Sequence, residues 1–177
     1  MDSLISIFLT IILFVGILGL IYVLLYNNLQ VSKIKINEAK SIIDELLRKK
    51  FDFLETLKKI IIDNTEIDNK NFEQFDNLKT INISSYEFER KLNEYNILIN
   101  QMKDDYSKLE NLDVFNSNYE DLFKLNERLE ATKTFYNRSA SLLNKSINKF
   151  PANIIAKIHQ INNQTSFDGK VMSDDNI

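Results

Sequence analysis

The segment FERKLNEYNILINQMKDDYSKL (residues 88–109) decides the fold class, because its apolar residues recur every three or four positions. That spacing places a single apolar stripe along an α-helix. Ser84 and Glu87, just before it, match the S-x-x-E pattern that caps the start of a helix. The segment therefore predicts a long amphipathic helix with a stripe of Phe88, Leu92, Tyr95, Ile99, Met102, Tyr106 and Leu109.

The chain around this helix lacks the residues that break helices. From Leu20 to Phe150, a span of 131 residues, there is neither Gly nor Pro. A sheet protein of that length needs several turns rich in these two residues. We therefore predict an all-α fold with an N-terminal transmembrane helix followed by an antiparallel four-helix, coiled-coil-like bundle.

Three further segments predict the other helices of the bundle. A first stripe, ending near residue 62, consists of Ile36, Ala39, Ile43, Leu46, Lys50, Phe53, Leu57 and Ile60. A weaker second helix is predicted over residues 71–79, followed by a connector over residues 80–84. The last long stripe follows a second S-x-x-E pattern at Ser117 and Glu120 and consists of Leu122, Leu125, Leu129, Thr132, Tyr136, Ala140, Leu143, Ile147 and Phe150. The apolar residues after Pro151 either cap the bundle core or lie on a membrane surface.

An uncharged segment of 23 residues, Leu4 to Tyr26, is long enough to cross a membrane. As a helix it measures roughly 34 Å, against a hydrocarbon core of about 30 Å. A cleaved signal peptide is the alternative, but the segment is preceded by an acidic residue and followed by no small-residue cleavage site. We therefore predict an uncleaved anchor.

The charges beside this segment predict its orientation in the cell membrane. Lys33, Lys35 and Lys40 follow it, whereas only Asp2 precedes it. The positive-inside rule then places the N-terminus outside and the bundle in the cytoplasm. The predicted organisation is a short extracytoplasmic start (1–3), a single membrane span (4–26), a helical bundle (27–165) and a flexible polar tail (166–177).

Composition excludes several classes of function. The chain has 22 Lys plus Arg and 25 Asp plus Glu, a net charge of -3, so it offers no basic footprint for nucleic acid. The absence of Cys and the single His exclude cysteine nucleophiles, thiolate metal sites and two-His zinc motifs. Asp63, Glu66 and Asp68 lack the central Gly of an EF-hand loop. We predict no catalytic residue, metal, cofactor or small-molecule substrate.

Two other groups of residues have simple structural interpretations. His159 has no carboxylate or hydroxyl paired with it in the sequence, which favours a surface or packing histidine. The basic cluster Arg48, Lys49 and Lys50 has acidic residues on both sides, Asp44 and Glu45 before it and Asp52 and Glu55 after it, which is typical of a solvated helix face.

Several short motifs resemble the LemA family of bacterial membrane proteins. They are YNNL (26–29), NEAKSIID (37–44), LRKKFD (47–52), ATKTFYN (131–137) and FPANIIA (150–156), with Asn144 and Ile147 between the last two. The chain departs from the family pattern in the second helix, where the family usually has a proline near Leu54, so the resemblance transfers least to residues 64–85. The candidate motif residues are Tyr26, Asn27, Leu29, Glu38, Ala39, Asp44, Arg48, Phe135, Tyr136, Asn137, Asn144, Phe150, Pro151, Asn153, Ile154, Ile155 and Ala156.

The resemblance implies a single-pass membrane protein with a cytoplasmic antiparallel helical bundle and no catalytic residues. Asn27, Asn137, Asn144 and Asn153 would either fix helix register as buried amides or form a partner surface. The expected function is a non-enzymatic scaffold or adaptor with a protein partner. The alternative is an accessory factor of a membrane protease or envelope quality-control system. An enzyme with a novel site would require a deep pocket between helices.

Overall fold

A computed structural model describes residues 2–78 and 83–169, with side chains from Ser3 onward. The predicted extracytoplasmic start, the connector over residues 80–84 and the polar tail therefore lie partly or mostly outside the described residues. Every regular element within the description is helical, which confirms the all-α fold class. The elements are α1 (Asp2–Asn64), a first 3-10 helix (Asn69–Phe75), α2 (Ser85–Asp105), a second 3-10 helix (Leu109–Asn111), α3 (Asp113–Ile147) and α4 (Ala152–Ile158).

Helix α1 joins the apolar segment and the first amphipathic stripe into one continuous helix of 63 residues. Its residues from Leu4 to Leu24 are exposed throughout, and none of its most apolar stretch is buried. By length and composition, this helix is able to cross a membrane.

The described residues form two compact units. The bundle unit comprises residues 39–135 and 167–169, and the terminal unit comprises residues 2–38 and 136–166. Helices α1 and α3 each contribute residues to both units.

Helix directions within the bundle unit follow from its hydrogen bonds. Helices α1 and α2 run parallel, because Asp44 pairs with Ser85 and, further along both helices, Glu55 pairs with Tyr95. Helices α2 and α3 run antiparallel, because Glu89 bonds to Lys133 and Asn100 bonds to Tyr119. The described residues 65–78 after α1, here called the returning segment, turn back beside it, since Asp76 bonds to Lys58.

The second of the four predicted helices, over residues 71–79, is instead the 3-10 helix Asn69–Phe75. It begins where the Asp68 carboxylate accepts a hydrogen bond from the backbone N–H of Lys70. Phe72, Phe75 and Leu78 are buried, as their spacing predicts. The apolar pattern identified the buried side chains correctly but not the type of helix that carries them, because a spacing of three fits both.

One of the two predicted helix starts is confirmed and the other is wrong. The Ser84 hydroxyl accepts a hydrogen bond of 3.2 Å from the backbone N–H of Glu87, as expected of an N-cap. Ser117 instead lies inside α3, which begins at Asp113 with the carbonyl of Leu112 accepting from Asn116 at 3.0 Å. The S-x-x-E pattern also fits a helix interior, where it caps nothing.

Helix α1 buries a wider surface in the bundle unit than the single predicted stripe. Phe53 and Ile60 of the predicted stripe are only partly buried, whereas Leu47, Leu54 and Ile61 are buried. Helix α1 packs against α2 and against the returning segment, so it buries more than one face. On α2 the stripe is buried at Leu92, Tyr95 and Ile99, while Tyr106 is exposed.

In the terminal unit, α4 and the chain after it pack against the end of α3 and against α1 around Leu29 and Ile36. Its buried residues are Leu29, Ile36, Tyr136, Ser139, Ala140, Leu143, Ile147, Ala152, Ile155, Ala156 and Ile161. The segment after Pro151 therefore contributes to the core, as one of its two interpretations predicts. Phe150, the last residue of the predicted stripe, is exposed instead.

Candidate functional site

The interior of the bundle unit contains a buried lysine. Lys50 is only 3 % exposed, and its ammonium donates a hydrogen bond of 2.7 Å to the side-chain oxygen of Asn93. Burial lowers the pKa of Lys50 below its ordinary value, while the charge of Glu89 opposes that shift. The predicted solvated face is therefore wrong for Lys50, although it holds for the exposed Arg48 and Lys49. The sequence did not indicate the burial of the Lys50 ammonium because its hydrogen-bond partner, Asn93, lies on a different helix.

A buried carboxylate, Glu89, completes this interior network. It is 4 % exposed and accepts a hydrogen bond of 2.7 Å from Lys133, which also donates to the exposed Glu130 at 2.9 Å. Burial alone lowers the pKa of Lys133, but the hydrogen bonds and charges of Glu89 and Glu130 outweigh it and raise that pKa. The burial of Glu89 was not predicted from the sequence. The one feature that could have indicated it is the position of Glu89 next to Phe88, at the edge of the α2 stripe.

A second set of polar contacts holds the first 3-10 helix and α2 against α1. The Tyr95 hydroxyl donates a hydrogen bond of 2.8 Å to Glu55, and its ring stacks on Phe75 with centroids 4.3 Å apart. Burial and the neighbouring Glu55 carboxylate raise the pKa of Tyr95. Lys58 bonds to Asp76 immediately after the 3-10 helix. These side chains bond to one another, so their contacts join α1 to α2 and to the first 3-10 helix.

The terminal unit contains an aromatic cluster formed by Tyr22, Tyr26 and His159. The Tyr22 hydroxyl and Nε2 of His159 are joined by a hydrogen bond of 2.6 Å. The ring centroids of Tyr26 and His159 lie 4.4 Å apart, and the two tyrosine rings are nearly parallel, with centroids 6.4 Å apart. His159 is exposed, and its partners are 137 and 133 residues away in the chain, so no sequence motif indicates the cluster.

The turn at the end of α4 positions His159 for these contacts. Gln160 adopts a left-handed conformation with φ of 51°. The backbone N–H of Ile161 donates to Ala156 at 2.9 Å, and that of Gln160 donates to Lys157 at 3.3 Å, which is the Schellman pattern of helix termination. The turn buries Ile161 and directs the following chain back along α3.

Asn144 holds that returning chain in place. Its side-chain amide donates to the carbonyl of Gln164 and accepts from the backbone N–H of the same residue, both at 2.8 Å. The Tyr136 hydroxyl donates to the carbonyl of Thr165 at 3.3 Å. Asn144 therefore fixes an extended segment, whereas the sequence suggested helix register or a partner surface.

The motif residues do not converge on one site. Leu29, Ala39, Tyr136, Ile155 and Ala156 are buried, whereas Asn27, Glu38, Arg48, Phe135, Phe150 and Ile154 are exposed. The partly buried members are Tyr26, Asp44, Asn137, Asn144, Pro151 and Asn153. They are divided between the two units, and the exposure of Asn27 contradicts the first of its two interpretations, a buried amide that fixes helix register.

Two surface grooves are each lined by a single helix. One follows Ile5 to Leu13 and the other follows Glu55 to Asp63, both on α1. Neither has the walls from two helices that the expectation for a novel enzyme site requires. Within the described residues, no three His, Asp or Glu side chains lie close enough to hold a metal ion.

These features define a class of all-helical protein with a long N-terminal helix whose first part is apolar and exposed, and with a helical unit whose apolar core also contains polar networks. The chain belongs to the LemA family, whose profile matches residues 39–176. This confirms the family predicted from the motifs. The match begins after Glu38, so the resemblance at residues 26–38 stays a prediction. No curated protein and no solved structure matches the chain.

Proposed function

We propose that this protein is a non-enzymatic, membrane-anchored helical scaffold or adaptor of the LemA type. The observation that carries the proposal is the continuity of α1, in which an exposed apolar segment leads into the buried stripe of the bundle unit. An exposed apolar segment long enough to cross a bilayer is best covered by lipid. The same helix that would enter the bilayer continues into the bundle unit, so a partner bound by that unit would be tethered to the membrane.

The proposed orientation has the N-terminus outside and the helical units in the cytoplasm of a bacterial cell. Lys33, Lys35 and Lys40 are exposed on α1, 7, 9 and 14 residues beyond Tyr26 at the predicted membrane boundary. Cations in that position favour retention on the cytoplasmic side. The four-helix, antiparallel arrangement remains part of this proposal, with the first 3-10 helix and its flanking chain taking the place of the second helix.

The α2–α3 surface offers a docking site for a protein partner. Ile97 and Phe123 are among the exposed large apolar residues of the bundle unit. Ile97 lies one turn before Asn100, and Phe123 lies one turn after Tyr119, to which Asn100 is hydrogen-bonded. In an antiparallel pair these two positions are at the same level. Adjacent exposed apolar side chains are typical of the centre of a protein interface.

Site-specific photocrosslinking in living cells tests the adaptor proposal. A photoreactive amino acid at position 97 or 123 is expected to give a discrete adduct in the membrane fraction, whereas Val114, an exposed apolar residue of the same helix α3, provides the matched control. Adducts at neither position, or equal adducts at position 114, would contradict the proposal. An adduct with a second copy of the chain would assign this surface to self-association.

The accessory role in a membrane protease or envelope system remains the alternative, and family membership is compatible with both. The two differ in a measurable consequence. An accessory role requires that deletion of the protein changes the turnover of other membrane proteins. Unchanged turnover in the deletion strain would reject the alternative and leave the scaffold proposal standing.

A further inference from the structure

Helix α4 has an exposed apolar face on the side opposite its buried face. Ala152, Ile155 and Ala156 are buried, whereas Ile154 is 50 % exposed and Ile158 is 62 % exposed. Phe150, four residues before Ile154, is 79 % exposed. An amphipathic helix in water presents polar residues on its outer face. Two large apolar side chains on that face of α4, with Phe150 exposed just before the helix, therefore indicate that something apolar covers them.

The charge around α4 is of one sign. The residues of the terminal unit from 136 to 166 include Arg138, Lys145, Lys149 and Lys157 and contain no Asp or Glu. Lys149 and Lys157 flank the apolar face, and both are exposed. The whole chain carries a net charge of -3, so this concentration of positive charge contrasts with the rest of the molecule. Exposed apolar side chains flanked by cations are typical of helices that lie on anionic lipid.

The position of α4 on α1 places this face beside the predicted membrane boundary. His159, the residue that ends α4, is hydrogen-bonded to Tyr22 and packs on Tyr26. Tyr26 is the last residue of the apolar segment, and Tyr22 lies one turn, about 6 Å, before it. Tyrosines at such a boundary lie among lipid headgroups. Because α4 has seven residues, it extends only about 10 Å from this contact.

We propose that α4 is a second membrane contact of this protein, lying in the headgroup region of an anionic bilayer with Phe150, Ile154 and Ile158 inserted. The occupant of the exposed face is therefore lipid of the leaflet that α1 enters. This inference rests on the anchoring by α1 proposed above. In this arrangement, α4 and the contacts of His159 with Tyr22 and Tyr26 hold the terminal unit against the membrane surface.

Tryptophan quenching by brominated lipid tests the insertion directly, because the chain contains no Trp. Full-length single-Trp variants, Phe150→Trp and Ile158→Trp, are reconstituted in vesicles of phosphatidylcholine and phosphatidylglycerol with brominated acyl chains. Ile97→Trp provides the matched control, since Ile97 is similarly exposed but lies in the bundle unit. Phe14→Trp, in the apolar segment, reports the anchoring itself. Circular dichroism verifies that each variant retains its helix content.

The expected result is that Trp emission at positions 150 and 158 falls to about half or less of its value in non-brominated vesicles, with the control at position 97 unchanged. The decrease is expected to be smaller in phosphatidylcholine alone, because the cations then lose their anionic partners. Quenching at position 14 without quenching at 150 and 158 would overturn the α4 contact and leave the anchor intact. Absence of quenching at position 14 would overturn the anchoring and, with it, this inference.

Discussion

Phe75→Ala is expected to lower the free energy of unfolding of the bundle unit by about 3–5 kcal/mol, the loss typical of a buried Phe. Phe75 is 1 % exposed and stacks on Tyr95, which in turn bonds to Glu55 of α1. Truncation therefore removes a large apolar side chain from the core. It also removes the ring on which Tyr95 stacks, and Tyr95 joins α2 to α1. Denaturant unfolding of the full chain in detergent, followed by circular dichroism, measures the change.

Phe123→Ala is the matched control for this prediction. Phe123 has the same side chain but is 61 % exposed, so its removal is expected to change stability by less than about 0.5 kcal/mol. Equal effects of the two substitutions would contradict the assignment of the returning segment to the core. They would also imply that residues 69–75 do not pack as described.

Glu89→Gln is expected to destabilise the bundle unit by about 3 kcal/mol, because it removes the charge of a buried carboxylate between two lysines. The Glu89 side chain is 6 % exposed and bonds to Lys133, and its charge supports the protonated form of the buried Lys50. Without it, both ammonium groups lose their most deeply buried counter-charge. Chemical denaturation of the full chain in detergent at neutral pH gives the difference.

Glu130→Gln separates the effect of burial from that of the ion pair. Glu130 bonds to the same lysine at nearly the same distance, 2.9 Å against 2.7 Å, but its side chain is 66 % exposed. Exposed ion pairs contribute less than about 1 kcal/mol. If the two substitutions destabilise equally, the interior network is not what holds α2 against α3.

The helix pattern was predictable because apolar spacing is a local property. The N-cap at Ser84 needs only residues 84 to 87, and the stripe from Leu92 to Ile99 needs only the period of the helix. The false start at Ser117 shows the limit of such reasoning, since the same residues satisfy the pattern inside a helix. Likewise, the spacing of Phe72 and Phe75 predicted burial without distinguishing an α-helix from a 3-10 helix.

The polar contacts were not predictable because their partners lie far apart in the chain. Lys50 and Asn93 are 43 residues apart, and Tyr22 and His159 are 137 residues apart. In the sequence, Lys50 occupies a position of the α1 stripe but was interpreted together with its charged neighbours, and His159 has no evident partner. Only helix packing and the turn at Gln160 bring these groups together, so a single sequence carries no direct signal of either contact.

Cysteine accessibility tests the central claim, a single membrane span with the bundle in the cytoplasm. The chain has no native Cys, so Ser3→Cys and Glu120→Cys each introduce one thiol at an exposed position on opposite sides of the proposed span. In spheroplasts treated with a membrane-impermeant maleimide, Ser3→Cys is expected to react at once and Glu120→Cys only after lysis. Labelling of Glu120→Cys before lysis, or protection of both thiols until lysis, would contradict the account.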